Sequence, residues 1–118
     1  GRPVYRYYYT RPRPALRGAT DPKPESAGAV HSAEIEYALG NLPSNRVFDW
    51  QPEDYRVSEV LQGYFVNFIR TGNPNGQALP VWTPVKPKQP ATVLVIDTES
   101  REVIEQHRDR YLFLDKNF

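Results

Sequence analysis

A chain of 118 residues is long enough for one domain with a single core, and its 15 basic and 14 acidic side chains leave a net charge of +1. That balance excludes a strong overall field that would recruit nucleic acid or an anionic membrane, and the absence of cysteine excludes disulfides and thiolate zinc sites. No apolar run approaches the roughly 20 residues of a membrane-spanning helix, so we expect no membrane partner.

The first predicted element is a strand over residues 4–10, where aromatic and β-branched residues dominate and Tyr5, Tyr7 and Tyr9 share one face. The prolines of residues 11–14 end the strand, because proline has no amide to donate, and residues 15–27 are predicted as loop.

Five arginines lie among the tyrosines of the first 18 residues. This pattern permits an alternative function, a non-catalytic module that binds a polyanion. A strand with surface arginines explains the same residues, so we expect no nucleic-acid partner.

Residues 28–40 hold a histidine placed like a reactive base. His31 follows the small residues Gly28 and Ala29 and precedes a predicted short apolar helix, so its imidazole can stand clear of the scaffold. A structural histidine in a loop fits the same residues. His31 and Glu34 lie one helical turn apart, as two metal ligands do, but no third ligand is similarly placed, and we expect no metal.

Ser26 lies in a segment, residues 24–29, that looks like the Gly-x-Ser-x-Gly nucleophile elbow with its first glycine replaced. The elbow needs a strand that leads into it, and the prolines of residues 21–24 rule out a central strand. Ser32 is also a poor nucleophile, because adjacent side chains rarely meet in a useful hydrogen bond. We therefore predict no catalytic serine in this chain.

The best-defined element is a helix that begins near Pro52, with Glu53 and Asp54 at the positive end of its dipole. Apolar residues recur at helical spacing and predict a face in the core: Val57, Val60, Leu61, Tyr64 and Phe68. Gly72 suits the left-handed cap that ends the helix, and Pro74 bars its continuation.

The C-terminal third predicts a proline-punctuated loop over residues 77–91 and a strand over residues 92–97 that is apolar on both faces. Residues 102–104 continue as a short strand or lead into a helix over 105–114, with Tyr111 and Leu112 inward and His107 on the surface. The predicted fold class is therefore α/β, with two or three strands, two or three helices and long proline-rich loops. So few elements supply little cover for so many aromatic residues, and the sequence looks like a piece of something larger.

Four segments together resemble the C-terminal part of the type-B carboxylesterases, the carboxylesterase and cholinesterase branch of the α/β-hydrolases, which includes the bacterial para-nitrobenzyl esterases. These are residues 5–9, 28–37, 64–76 and 82–84, in the family's order. The resemblance implies that His31 is the catalytic histidine and that Glu34 is a recurrent buried carboxylate close to it. Ser32, Phe65 and Leu39 stand where many members have glycine, tryptophan and phenylalanine.

The resemblance implies that residues 1–118 are the C-terminal part of a serine carboxylesterase domain that cleaves carboxylic esters through an acyl-enzyme. The triad of α/β-hydrolases runs serine, acid, histidine along the chain, so this piece would carry the base and lack the other two members. The implied partners are a small-molecule ester and the missing N-terminal part of the same enzyme, with no cofactor. Alone, the chain is expected to be inactive. Glu34 would support His31 or its loop, although a helix N-terminal charge is an equally simple role.

Overall fold

The computed structural model describes residues 2–24, 26–86 and 89–118, and it has the predicted α/β class. Three strands and three helices account for most of its regular structure. In chain order they are β1 (Tyr7–Tyr9), α1 (Ile35–Leu39), α2 (Pro52–Thr71), β2 (Thr92–Ile96), β3 (Arg101–Ile104) and α3 (Arg108–Asn117), with a 3₁₀ helix at Leu42–Ser44. Among the described residues, no helix is both long enough and apolar enough to cross a membrane.

The three strands form one sheet in the order β1-β2-β3. β1 runs parallel to β2, with Tyr7 opposite Leu94, and β2 runs antiparallel to β3, with Val93 opposite Val103. A parallel pair needs a long crossover connection, and here that connection holds α1 and α2. The first strand is shorter than the predicted residues 4–10 and leaves Tyr5 outside it. Tyr5, Tyr7 and Tyr9 nevertheless contact aromatic rings of α1 and α2, as one shared face requires.

The core lies between this sheet face and α2. Val57, Leu61 and Tyr64 of the predicted apolar stripe are buried, whereas Phe68 is half exposed at the end of the stripe and meets Tyr5 edge to face. Trp82, from the predicted loop, is also in the core. Its indole nitrogen donates a hydrogen bond of 3.0 Å to the carbonyl oxygen of Arg6. The same carbonyl accepts from the amide of Leu94 at 3.0 Å, so Trp82 and β2 together hold the residue that precedes β1.

Both ends of α2 follow the predicted signals. Pro52 is in the first turn, and Gly72 adopts φ of 76° while its amide donates to the carbonyl of Phe68 at 2.7 Å. The capping residue Gln51 was not predicted. Its backbone amide donates to the carboxylate of Asp54 at 2.8 Å.

The prediction for the C-terminal helix is wrong in its bounds and in its buried face. The helix spans Arg108–Asn117 rather than residues 105–114, and Glu105 lies outside it, where its carboxylate accepts a bond of 2.8 Å from Arg6. Tyr111 and Leu112 were expected inward but are 50% and 51% exposed. A helix buries an apolar face only where another element lies against it, and no residue of α3 is buried in the described part of the chain.

β2 is apolar on both faces, as predicted, but only one face is covered. Leu94 and Ile96 are fully buried against the α2 side, whereas Val93 and Val95 are only partly covered on the other side. Tyr8, which is level with Val95 across the β1–β2 pair, is 65% exposed. His107, predicted on the surface, is exposed.

Candidate functional site

His31 lies at the start of a turn, residues 31–34, that leads directly into α1. The side chain of His31 is exposed. Two residues later, Ala33 is completely buried in the core, and its amide donates to the carbonyl of Val30 at 3.1 Å to close the turn. The turn therefore ties the backbone beside His31 to the core while the residue itself stays exposed, as the predicted loop required.

Ser32 follows the histidine with φ of 63°, in the left-handed region. This conformation is strained for a residue with a Cβ and costs nothing sterically for glycine. It is also the position at which the resemblance places glycine in many members of the family. The strain at Ser32 is thus a local cost of presenting His31 at this angle.

We expect Ser32→Gly to raise the free energy of unfolding by about 0.5–1 kcal/mol, because relief of left-handed strain exceeds the entropy that glycine loses on folding. Urea denaturation measures this change. Ala78→Gly, at φ of 64°, should act in the same direction, whereas Ser44→Gly, in the 3₁₀ helix, should destabilise. A loss of stability in Ser32→Gly similar to that in Ser44→Gly would contradict the strain argument.

The guanidinium group of Arg13 bonds the backbone of the turn. Arg13 Nη2 donates to the carbonyl oxygen of Ser32 at 3.0 Å and to the carboxylate of Glu36 at 2.9 Å and 3.2 Å. Asn45 Nδ2 also donates to Glu36, at 2.8 Å. Burial raises the pKa of Glu36, but the hydrogen bonds from Arg13 and Asn45 outweigh burial, and the net pKa lies below its ordinary value. Glu36 is therefore held as a charged partner for Arg13 at neutral pH.

Glu34 occupies the N-cap position of α1, with helical backbone angles and no side-chain capping bond. It is partly buried and close enough to β1 that its charge adds to burial in raising the pKa of the Tyr7 hydroxyl. Within the described part of the chain, no hydrogen bond joins Glu34 to His31. The structure brings the two residues into one turn, and the supporting role of Glu34 stays a prediction.

A buried carboxylate joins α1 to α2. Asp54 is fully buried and accepts hydrogen bonds from Arg11 Nε, from the Tyr37 hydroxyl and from the amide of Gln51, each at 2.8 Å. Burial raises the pKa of the Tyr37 hydroxyl, and the charge and hydrogen bond of Asp54 raise it further. Because Tyr37 belongs to α1, this cluster fixes the helix that follows the histidine turn.

The sequence singled out Asp54 only as a charge at the helix N-terminus, and it did not single out Arg13 as a site residue. Asp54 is the third residue of a helix with an apolar stripe, and a polar residue at that position is only a weak indication of burial. Nothing local distinguishes Arg13 from Arg17, four residues later and exposed. These assignments require the tertiary structure.

Three arginines of the Tyr/Arg-rich start are used in internal ion pairs. Arg6 pairs with Glu105, Arg11 with Asp54 and Arg13 with Glu36. Tyr5 and Tyr7 pack edge to face against Trp82. The residues that the alternative polyanion-binding module needs on its surface are therefore largely engaged within the fold.

Ser26 donates its hydroxyl hydrogen to the carbonyl oxygen of Gly28 at 2.6 Å, a local bond within the loop. The elbow-like segment includes Glu25, which lies outside the described residues. Among the residues that the structure does describe, no group of three or more His, Asp or Glu side chains is suited to hold a metal ion.

Comparison with known proteins identifies relatives of this chain. A family model described as the carboxylesterase family matches residues 1–113. Carboxylesterase 5A from Canis lupus familiaris is 38% identical over 86 residues, which is 70% of this chain and 14% of that protein. Phenmedipham hydrolase from Pseudarthrobacter oxydans is 36% identical over 107 residues, 86% of this chain and 20% of that protein.

The fold has solved counterparts. A thermophilic PNB esterase structure aligns with 95% of this chain and 22% of its own length, at a TM-score of 0.74 and 22% identity. At this identity the likeness shows the fold alone, and the fold is that of the α/β-hydrolase esterases, as predicted. The chain therefore spans about a fifth or less of the length of these relatives and counterparts.

Proposed function

This chain belongs to the carboxylesterase family, and on that premise we propose that residues 1–118 are the C-terminal part of a serine carboxylesterase domain in which His31 is the general base. The observation that carries the proposal is the His31 turn, an exposed imidazole on a backbone held by buried Ala33. The family match covers this turn, and the relatives named as carboxylesterase and hydrolase support the reaction class.

In the proposed reaction a serine hydroxyl attacks the ester carbonyl while the imidazole of His31 accepts its proton. The same imidazole then returns the proton to the leaving alcohol, and a second cycle with water releases the acid. Imidazole suits both steps because its unperturbed pKa lies near neutrality. The nucleophile, the triad acid and the oxyanion-hole amides are supplied by polypeptide outside these 118 residues, since the chain matches about a fifth of its relatives' length.

The partners of this segment are then a small-molecule carboxylic ester and the N-terminal part of the same enzyme. Glu34, at the N-cap of α1, supports the loop of His31 through its charge. No metal or organic cofactor is needed for acyl transfer of this kind, because the covalent intermediate forms on the serine itself. No observation favours the polyanion-binding alternative, since three of its arginines are ion-paired within the fold.

The proposal is tested by hydrolysis of a short-chain p-nitrophenyl ester by two proteins. One is the 118-residue chain, and the other is a chimera in which this chain replaces the matched segment of phenmedipham hydrolase. We expect the chain to show the same background rate as its His31→Ala variant, because it holds a base without a nucleophile. We expect the chimera to turn over the ester.

Either of two results would count against the proposal. An isolated-chain rate that His31→Ala abolishes would mean that a nucleophile lies within the 118 residues, and Ser26 would be the first residue to replace. A chimera with cooperative unfolding but no turnover would mean that this segment does not complete an esterase site.

A further inference from the structure

We propose that Arg13 is a positioning residue for His31: its guanidinium holds the backbone turn from which the imidazole projects. This inference rests on the proposed function, because positioning has a catalytic meaning only if His31 is the base. It goes beyond that function in assigning a role to an arginine that touches neither the imidazole nor a substrate. The main observation in support of this role is the 3.0 Å hydrogen bond from Arg13 Nη2 to the carbonyl oxygen of Ser32.

The guanidinium is itself held on two sides. Its Nη2 bonds Glu36 at 2.9 Å and 3.2 Å, and its central carbon lies 5.3 Å from the ring centroid of Phe48. The side chains of Arg13 and Glu36 are 22% and 14% exposed, so the pair is partly shielded from water. A planar cation that stacks on a ring and bonds a carboxylate has little freedom left. It can therefore serve as a fixed donor to a third group, the Ser32 carbonyl.

The backbone that carries Arg13 is fixed as well. Arg17 donates its amide to Val47, and Asp49 donates its amide to Ala15, at 2.8 Å and 2.9 Å. These bonds pair the segment after Arg13 with the segment that precedes α2. Pro14 is buried beside them. Arg13 thus has a backbone that is held by hydrogen bonds on its C-terminal side, although it lies in a connection without regular structure.

The bonded carbonyl belongs to the strained residue of the turn, and it also accepts a longer hydrogen bond of 3.4 Å from the amide of Ile35. Ser32 carries the left-handed φ of 63°, and a strained residue keeps such a conformation only when its surroundings determine it. The amide of Ala33 fixes one side of the Ser32–Ala33 peptide group by its bond to Val30, and Arg13 fixes the other side through the Ser32 oxygen. Together the two bonds set the plane of this peptide, and hence the direction in which His31 leaves the turn.

A catalytic base must be held closely, since a misplacement of about 1 Å costs on the order of 100-fold in rate. A simple ion pair that stabilises the loop would account for the Arg13–Glu36 bonds but not for the third bond to the Ser32 carbonyl. Lysine in place of Arg13 keeps the charge but lacks the planar group that stacks on Phe48 while bonding two partners. Arg13→Lys is therefore expected to lose most of the positioning and to keep part of the stability.

The test compares Arg13→Lys and Arg13→Ala with Arg6→Ala, in the 118-residue chain and in the chimera. Arg6 is a matched control because it also pairs with a shielded carboxylate, Glu105, whose side chain is 6% exposed, but its side chain bonds neither the histidine turn nor the Asp54 cluster. In the chain, nuclear magnetic resonance reports the carbonyl carbon shift of Ser32 and the exchange rate of the Ala33 amide. We expect both Arg13 variants to shift the carbonyl resonance and to raise Ala33 exchange by roughly tenfold or more, beyond the rise that the loss of global stability causes.

In the chimera we expect Arg13→Lys to lower kcat by roughly 10- to 100-fold with KM changed by less than about threefold, because substrate contacts are untouched. Arg6→Ala should leave kcat per folded molecule close to that of the parent. An Arg13→Lys chain whose Ser32 carbonyl shift and Ala33 exchange match those of Arg6→Ala would overturn the positioning role. If instead the resonance changes occur but His31→Ala leaves turnover intact, the proposed function fails, and the catalytic meaning of the Arg13 bond fails with it.

Discussion

Replacing His31 with alanine in the active chimera is expected to lower kcat for ester hydrolysis by roughly 10³- to 10⁶-fold. Without the imidazole, no group takes the proton from the attacking serine or returns it to the leaving alcohol. KM should change far less, because His31 accepts and donates the proton in the transition state and does not bind the ester in the ground state. Steady-state hydrolysis of p-nitrophenyl esters measures both constants, and a pre-steady-state burst separates acylation from deacylation.

The second histidine provides a matched control. His107 is exposed at the N-cap position of α3, so His107→Ala changes the same residue type away from the histidine turn. We expect its kcat to remain within about twofold of the parent. Equal losses in the two variants would point to damage of the fold rather than to the chemistry of an imidazole at residue 31. A His31→Ala chimera that keeps a tenth or more of the parent rate would exclude His31 as the general base.

The helix α2 shows what the sequence can predict. Its apolar face repeats at helical spacing, Pro52 marks its start, and Gly72 has the left-handed conformation that ends it. Each of these signals is local, and all agree on the same element. The position of the histidine turn was predicted equally well, because small residues before His31 and an apolar run after it indicate an exposed loop at the start of a short helix.

The exposure of the apolar residues of α3 could not be predicted from such local signals. Tyr111 and Leu112 are apolar enough to predict a buried face, but burial needs a second surface, and the described residues place none against them. The outer face of β2 shows the same effect, since Val93 and Val95 lie on the side of the sheet away from α2. Hydrophobic pattern predicts which side chains favour burial, whereas the geometry of the surrounding chain decides which of them achieve it.

The contacts that fix the histidine turn depend on the tertiary structure for a similar reason. Arg13 and Ser32 are 19 positions apart, Tyr37 and Asp54 are 17 apart, and Arg11 and Asp54 are 43 apart. Five arginines of the first 18 residues look alike as sequence, and only the fold distinguishes the one that reaches the Ser32 carbonyl. Residue type predicts the chemistry of a donor, and topology selects its acceptor.

Asp54→Ala is expected to lower the free energy of unfolding by about 3–5 kcal/mol, the largest effect on stability that we predict for one side chain. The change removes the acceptor of three hydrogen bonds and leaves Arg11, only 18% exposed, without its counter-charge. The Tyr37 hydroxyl also loses its partner inside the core. Such a loss is a large share of the 5–15 kcal/mol that stabilises a typical domain. Urea denaturation followed by tryptophan fluorescence measures it, because Trp82 is buried in the same core.

Glu53→Ala provides the matched control, since Glu53 is the neighbouring acid of the same helix turn and, among the described residues, pairs only with the exposed Arg56. Surface pairs contribute little, and we expect Glu53→Ala to cost less than about 1 kcal/mol. Asp54→Asn should fall between the two alanine variants, because its amide oxygen still accepts hydrogen bonds but no longer neutralises Arg11. If Asp54→Ala were no more harmful than Glu53→Ala, the buried cluster would not be what fixes α1 to α2. The histidine turn would then depend on Ala33 and Arg13 alone.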